Sequence, residues 1–431
     1  MSEYTVAVVG LGKIGLPLAA QFVHSGQRVI GCDINPEVVA LINAGQSHVK
    51  EEPGLDERVR EAVASGFLTA TTDTTAAVRE SNVVIVIVPV LVDEASHKVD
   101  FRSIDAATDA VARGLQPGTL VIYETTLPVG TTRERFGPAL ERGSGLRVGR
   151  DFWLAFSPER VYSGRIFRDL QKYPKVVGGL TRECTERANR FYIAVLEGAG
   201  TLITQNADTA EFVKLIETTY RDVNIALANE FARFAEARGL PVDEAIFAAN
   251  SQPYSHILRP GIAVGGHCIP VYPYFLINGA GEGEMSLPRT ARQVNDGMAG
   301  WALARVSKAL GGLEGKRVLV LGLSYRENVK ETAFSGAVRL LEELKEAGAV
   351  AWLNDPLYTD EEIERFGVMA ASLADLPAGD AVILQAYHDD YRSLDWHALA
   401  RKGYRLVLDG RNSLDRAGIK ATGMQYIGMG R

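Results

Sequence analysis

From residue 5 to residue 33 the chain reads as an apolar run, a glycine turn, a helical pattern and a second apolar run. That alternation opens a parallel sheet with right-handed crossovers. Further strand-like runs at 83–89, 119–123, 151–156 and 175–178 extend it into one doubly wound domain ending near residue 200. Residues 207–238 then lack both proline and glycine, and Phe212, Leu215, Thr219, Val223, Leu227 and Phe231 recur at three- and four-residue steps. This spacing predicts an amphipathic helix long enough to bridge domains. A glycine- and proline-rich loop over 259–273 interrupts a mainly helical middle region, which resumes before Trp301. At Lys316 the first alternation returns: RVLVLG, a helix over about 335–347, then VAWLND, AVILQAY and RLVLDGRN. The expected fold class is therefore α/β, with two doubly wound, Rossmann-like parallel-sheet domains joined by a long central helix. The divisions implied are 1–203, 204–308 and 309–431.

A length of 431 residues fits this plan, since it exceeds what one hydrophobic core usually supports. A net charge of −7 provides no basic field for nucleic acid or anionic lipid, so partners must be recognised in local pockets. The first residues run straight into a strand without the charged and apolar regions of a leader peptide, and no apolar run approaches the roughly 20 residues of a spanning helix. The expectation is a cytoplasmic protein with no membrane partner. Three scattered cysteines, Cys32, Cys184 and Cys268, suit neither a disulfide framework nor a structural zinc site, and no metal is expected.

The first glycine turn is Gly10-Leu11-Gly12-Lys13-Ile14-Gly15. Its glycines permit a tight turn, close approach of backbone to a pyrophosphate, and close packing of helix on strand. A strand precedes it, a helix follows, and Asp33 ends the next strand at the expected spacing, which together point to a dinucleotide rather than to a turn that merely packs. Asp33 favours NAD over NADP, because its carboxylate accepts from a ribose 2'-hydroxyl and repels a 2'-phosphate. The second sheet has Gly322-Leu323-Ser324-Tyr325 at the same place, without the three-glycine fingerprint, and should not bind a second dinucleotide in that way. Tyr325, Arg326, Asp409 and Arg411 nonetheless lie at strand C-terminal ends, where such sheets bind ligands.

Cys268 stands in Gly265-Gly266-His267-Cys268-Ile269-Pro270, a close-approach loop rather than a strand or an apolar helix face. A thiol nucleophile combined with a hydride acceptor suggests an aldehyde oxidised as a thiohemiacetal, leaving a thioester for water to cleave. This chemistry needs a cation or donors at the oxyanion and a base for the water. Lys214, Thr218, Arg221 and Ile225 share one helix face at steps of four, three and four. Without the cysteine loop that face would read first as a solvated basic stripe. Glu124 and Glu159 follow putative strands at the ligand-binding edge, and each could as well be a surface acid, the usual fate of a glutamate.

With GLGKIGLPLA, Glu52-Pro53-Gly54-Leu55, TTLPVGTT, SPERV, KLIETTYRDVNIALANE, GGHCIP, GLSYREN and LDGRN in this order, the chain resembles the UDP-glucose and UDP-N-acetylhexosamine 6-dehydrogenase family over nearly its whole length. The resemblance implies an NAD-binding domain, a central helical dimerisation region and a C-terminal domain for UDP. It further implies a four-electron oxidation of a UDP-sugar C6 hydroxymethyl with release of two NADH. Cys268 would be the nucleophile, Lys214 the cation at the oxyanion, Glu159 the acid/base of thioester hydrolysis, and Thr126 a holder of water near the cofactor. Arg160, Val161, Lys214, Thr218, Arg221, Gly265, Tyr325, Arg326 and Arg411 would serve the substrate. GGHC and RDVNIALANE look more like the N-acetylhexosamine branch, for example an enzyme of UDP-N-acetylmannosamine.

Four places depart from the family pattern. Tyr272 replaces an Asp, Thr218 an Asn, Gln252-Pro253-Tyr254 a His-Pro-Arg, and Ala333-Phe334-Ser335-Gly336 an Arg-Glu-Ser-Pro. A phenol cannot serve as a carboxylate at neutral pH. Two alternatives therefore stand beside the full dehydrogenase: partial or different-carbon oxidation of an unusual nucleotide sugar, and a noncatalytic nucleotide-sugar-binding subunit. A hydroxyacid dehydrogenase would explain the first 200 residues but not GGHCIP or the second sheet. The helix face opposite Lys214 is apolar enough to pack on another copy, so a homodimer is expected.

Overall fold

The computed structural model describes residues 3–93, 96–196, 198 and 200–431. The chain divides into two compact units, Met1–Glu217 with Tyr274–Gly279, and Thr218–Pro273 with Ala280–Arg431.

The first unit is built on strands β1 (Thr5–Val9), β2 (Arg28–Cys32), β3 (Leu68–Thr71) and β4 (Val83–Val86), a small antiparallel ribbon of β5 (Leu91–Val92) and β6 (Val99–Asp100), then β7 (Leu120–Tyr123), β8 (Trp153–Phe156), β9 (Lys175–Gly179) and β10 (Thr201–Ile203). The main sheet runs β10-β9-β8-β7-β4-β1-β2-β3. Its central strands are apolar at successive positions because helices cover both faces; Val6, Ala7 and Val8 are all fully buried. β1 pairs in parallel with both β2 and β4, placing the switch in strand order, and hence the ligand crevice, at the end of β1. One edge departs from the expected parallel sheet. β9 runs antiparallel to β8, with Ala155 opposite Gly179 and Phe156 opposite Gly178. The first residue of β9 is thereby carried to the edge where β7 and β8 end.

The second unit's sheet contains β11 (Arg317–Leu321), β12 (Val350–Asn354), β13 (Met369–Ala370), β14 (Ala381–Leu384), β15 (Leu406–Asp409) and β16 (Gln425–Gly428) in the order β13-β12-β11-β14-β15-β16. All its pairs are parallel. The period of two along each strand builds two cores. Val318, Val320, Ala381, Ile383, Leu406 and Leu408 enter one cluster, and Leu319, Leu321, Val382, Leu384 and Val407 enter the other. Ser335 caps the helix Gly336–Glu346 by accepting from Ala337 N at 3.2 Å, which fixes the start predicted near 335.

The long helix spans Ala207–Glu236, and Leu240 N reaches back to Ala235 O across Gly239 to close it. Its buried side differs from the predicted apolar stripe. Leu215 and Thr219 are buried, but so are the small residues Ala226, Ala228, Ala232 and Ala235, while Phe212, Leu227 and Phe231 remain exposed. The polar residues Asp222 and Asn229 of this helix are fully buried in the second unit. Asp222 Oδ1 accepts from Arg292 Nη1 at 2.6 Å and from Asn295 Nδ2 at 2.7 Å. Asn229 Nδ2 donates to Asn295 Oδ1 at 2.9 Å, and Asn229 Oδ1 accepts from Gly261 N at 2.9 Å. This network ties the long helix to the helix Ser286–Asp296 and to the start of the cysteine loop. Arg292→Ala strands a buried carboxylate and is expected to cost about 3–5 kcal/mol, measured as a fall in the denaturant midpoint at unchanged slope.

Among the described residues, no helix is long and apolar enough to cross a membrane, and no cluster of three or more His, Cys, Asp or Glu could hold a metal.

Candidate active site

In the first unit the turn after β1 is shaped by what a side chain would strike. Gly10 has φ +97°, and a Cβ there would lie 3.1 Å from Ile87 O; a Cβ on Gly15 would lie 1.8 Å from Gly10 O. Gly12, in contrast, faces open space, with nothing within 4 Å of an added Cβ. The turn is thus closed by backbone on two sides and open beside the start of the helix Gly15–His24, which suits a pyrophosphate at a helix N-terminus. Ile14 precedes that helix, and Lys13 lies 3.7 Å from Glu51. Asp33 Oδ2 accepts from Leu11 N at 3.0 Å and Oδ1 from Asn35 N at 2.9 Å, so its carboxylate is fixed at the end of β2 where a ribose would lie. These residues fit NAD. Asp33→Ser should weaken NAD by about 10–100-fold, the loss of hydrogen bonds to a charged group, in a fluorescence titration that also measures any gain in NADP affinity.

Thr126 is buried in the loop after β7. Its neighbour Thr125 donates from Oγ1 to Val88 O at 2.7 Å, tying that loop to the one after β4. Further along, Glu211 of the long helix accepts from Gly130 N at 2.5 Å, Thr132 N at 2.8 Å and Thr132 Oγ1 at 2.6 Å. Burial pushes its carboxyl up to about 7, against these donors. Glu211 anchors TTLPVGTT to the helix that carries Lys214, which is itself buried.

Glu124 and Glu159 are not surface acids. Lys175, which sequence reasoning passed over, places Nζ 2.7 Å from Glu124 Oε2 and 2.7 Å from Glu159 Oε2. Tyr192 donates from Oη to Glu124 Oε1 at 2.7 Å. Glu159 Oε1 accepts from the backbone N of Arg160 at 2.6 Å and of Val161 at 3.0 Å. Burial pushes Glu124 up to about 7, opposed by Lys175 and reinforced by the charge of Glu159. Burial would raise Glu159 too, but Lys175 and the two amides hold it below the ordinary carboxylate value. The signal available in the sequence was a lysine opening the otherwise apolar strand KVVGG. The Arg160 side chain is engaged by Glu217 Oε1 at 2.6 Å and Pro174 O at 3.3 Å.

In the second unit the cysteine loop lies against Tyr325. A Cβ on Gly265 would meet Tyr325 Cβ at 2.6 Å, and one on Gly266, with φ +93°, would meet the Tyr325 ring at 3.0 Å. Gly266 N donates to Ala333 O at 2.8 Å and Ile262 N to Gly410 O at 3.0 Å. The half-buried Cys268 heads a turn in which its carbonyl accepts from Tyr272 N at 2.9 Å, and His267 Nε2 lies 3.4 Å from Glu331 Oε1. Arg411 turns its donors inward: Nε to Gln385 O at 2.5 Å, Nη2 to Gln385 Oε1 at 2.6 Å and to Tyr325 O at 3.1 Å, Nη1 to Ala263 O at 3.4 Å. It braces the loop that carries Gly265. Arg326 Nε donates to Tyr325 Oη at 3.2 Å. On the helix, Thr218 is fully buried and Arg221 half-buried, while Tyr254 is 92% exposed.

The second sheet repeats the first cofactor turn and closes it. Gly322 N donates to Asn354 O at 2.8 Å as Gly10 N does to Cys32 O at 2.8 Å, and Leu323 N reaches Asp355 Oδ2 at 2.8 Å as Leu11 N reaches Asp33. Asp355 Oδ2 also takes Ser324 N at 2.9 Å, Ser324 Oγ at 3.0 Å and His388 Nε2 at 3.0 Å, and both Asp355 and His388 side chains are sealed from solvent. Asn328 N donates to His388 Nδ1 at 3.0 Å, so the imidazole proton sits on Nε2 and points at Asp355. The carboxylate that would hold a dinucleotide ribose is consumed within the protein.

A doubly wound domain with this glycine turn and Asp33, together with a second such domain closed to a dinucleotide, defines an NAD-dependent oxidoreductase. The chain matches the UDP-glucose/GDP-mannose dehydrogenase family in its NAD binding domain over residues 4–196, its central domain over 208–297 and its UDP binding domain over 319–416, and belongs to that family. It is 37% identical to the UDP-N-acetyl-D-mannosamine dehydrogenase of Pyrococcus horikoshii over 99% of both chains. It is 36% identical to the NDP-N-acetyl-D-galactosaminuronic acid dehydrogenase of Ralstonia solanacearum over 94% of this chain and 95% of the other. The solved UDP-D-ManNAc dehydrogenase structure from Pyrococcus horikoshii superposes with a TM-score of 0.88, covering 99% of each chain at 35% identity.

Proposed function

We propose that the protein oxidises C6 of a UDP-N-acetylhexosamine, UDP-N-acetylmannosamine before others, to the uronate, in the cytoplasm. The similarity to the Pyrococcus horikoshii UDP-N-acetyl-D-mannosamine dehydrogenase over the whole chain carries this reading, because it spans cofactor turn, cysteine loop and UDP binding domain together. Gly10–Gly15 and Asp33 would hold NAD, which would supply the hydride acceptor for both oxidations. Between them Cys268 Sγ adds to the aldehyde carbon as a thiohemiacetal, with the Lys214 ammonium donating to the oxygen on which charge develops. The second oxidation leaves a thioester. Glu159, held as a carboxylate, takes the proton of the attacking water, Thr126 helps to position that water, and the C–S bond breaks to give the acid. Arg160, Val161, Thr218, Arg221, Gly265, Tyr325, Arg326 and Arg411 serve the substrate, Arg411 by bracing the Gly265 loop.

The chain works as three parts, 1–203, 204–308 and 309–431, of which the middle one dimerises. Along the long helix the exposed Phe212, Ile216, Tyr220, Leu227, Phe231 and Phe234 fall within roughly 100° of arc at 3.6 residues per turn, a face suited to a second copy.

The test is purified protein with NAD and, in parallel, UDP-glucose, UDP-N-acetylglucosamine, UDP-N-acetylgalactosamine and UDP-N-acetylmannosamine, following NADH and product mass. Two NADH per UDP-N-acetylmannosamine and a uronate are expected. One NADH with an aldehyde would support the partial oxidation that Tyr272 suggests. Binding without NADH across the panel would overturn the enzymatic assignment in favour of a binding subunit.

A further inference from the structure

Three neighbouring strands each deliver one charged side chain to the same edge of the first sheet. Glu124 follows β7, Glu159 follows β8 by three residues, and Lys175 opens β9. They meet because β9 reverses direction against β8, bringing its first residue beside the ends of the other two. The lysine ammonium bridges the carboxylates at 2.7 Å on each side. The three are graded in exposure: Glu159 is 10% exposed, Lys175 5% and Glu124 0%. Glu159 is therefore the end that water can reach and Glu124 the closed end. Behind Glu124, Tyr192 of the helix Arg182–Val195 donates its hydroxyl, with its ring 5.1 Å from Lys175 Nζ. Beside Glu159, the Arg160 guanidinium is paired with Glu217. Two carboxylates and one ammonium leave one negative charge in excess in a closed site, and such a group favours taking up a proton.

We propose that Lys175 and Glu124 are a proton store behind Glu159, receiving the proton released when water attacks the thioester. This rests on the assignment of Glu159 as the base of that step. The water O–H bond breaks as its oxygen bonds to the acyl carbon, the proton passes to Glu159 Oε2, and the sulfur leaves as thiolate. Lys175 gives one of its protons to Glu124 Oε2 and takes the one on Glu159. The lysine ends as an ammonium, Glu159 as a carboxylate and Glu124 as a neutral acid. The direction follows the environments, since burial raises Glu124 while Lys175 and the backbone amides of Arg160 and Val161 hold Glu159 down. The proton leaves by the same path to water at Glu159 before the next turnover. Lys175 is a positioning and relay residue, not one that touches substrate.

The experiment is rapid-quench single turnover of the full chain with NAD and UDP-N-acetylmannosamine, reading the lifetime of the acyl-enzyme by intact mass between pH 6 and pH 8. In the unaltered protein, decay should accelerate as pH rises through about 7, where Glu124 becomes able to accept. Glu124→Gln should lengthen the lifetime by about 10–100-fold, at the lower end of a general-base contribution, and flatten its pH dependence. Lys175→Arg keeps the charge and both hydrogen bonds but cannot release a proton, and should behave alike. Decay in both variants with the pH dependence of the unaltered protein would overturn the proposal; should Glu124→Gln fail to fold, Lys175→Arg decides alone. Glu159→Gln separates the two ideas: if its acyl-enzyme decays normally, the base assignment fails, whereas its accumulation beside normal decay in the other two variants sinks the store alone.

Discussion

Cys268→Ser should lower the four-electron turnover by roughly 10³–10⁵-fold, the scale seen when a covalent nucleophile is removed. A serine hydroxyl is a far weaker nucleophile than a thiol unless a neighbouring base activates it, and the adjacent His267 is turned by its Nε2 to Glu331. Any hemiacetal it formed would lead to an oxygen ester rather than a thioester. The loop itself should persist, because its fixed points are backbone groups, Gly266 N on Ala333 O, Ile262 N on Gly410 O and Gly261 N on Asn229 Oδ1. NAD and UDP titrations of the variant should accordingly match the unaltered protein, and its melting temperature should move by no more than a few degrees, as for a substitution outside the core. Turnover to the uronate within tenfold of normal would rule out a thioester on this sulfur.

What the sequence made legible follows from how local each signal was. The two sheets, the glycine turn, Asp33, the capped helix after Ser335 and the extent of the long helix all rest on short-range periodicity and turn chemistry. They stand in the structure within a few residues of where the pattern put them. Lys175 was hidden because strand reversal, not spacing, sets its position: a lysine at the head of an apolar strand looks like a solvated terminus until β9 is known to run against β8. Glu124 was visible at its strand end, but its burial was not, because Lys175 and Tyr192, which enclose its carboxylate, lie 51 and 68 positions on. Arg411 was visible as a residue at a strand end, but its inward turn depends on Gln385 and on carbonyls far away in sequence. The burial of Asp222 and Asn229 was equally out of reach, since their shared partner Asn295 lies about seventy positions on.

Lys214→Ala is expected to lower kcat by roughly 10²–10³-fold with little change in KM, the scale of removing one preorganised donor from an oxyanion. A charge that acts where negative charge develops affects the transition state more than the bound substrate. Lys214 is suited to this by its placement rather than by its charge alone. It lies three residues after Glu211, whose carboxylate is locked onto Gly130 and Thr132, so the helix turn bearing the ammonium is fixed against the loop that carries Thr126. The loss should fall on the step that forms or collapses the oxyanion, and pre-steady-state NADH traces would show it as a slowed second phase. Lys214→Arg tests placement separately from charge: a longer, planar guanidinium fixed by the same helix turn cannot bring a point charge to the same spot. It should recover only a small part of the rate. If Lys214→Ala instead raised KM and left kcat intact, the lysine would be a binding group for the sugar nucleotide, and the oxyanion would have to be held by other donors.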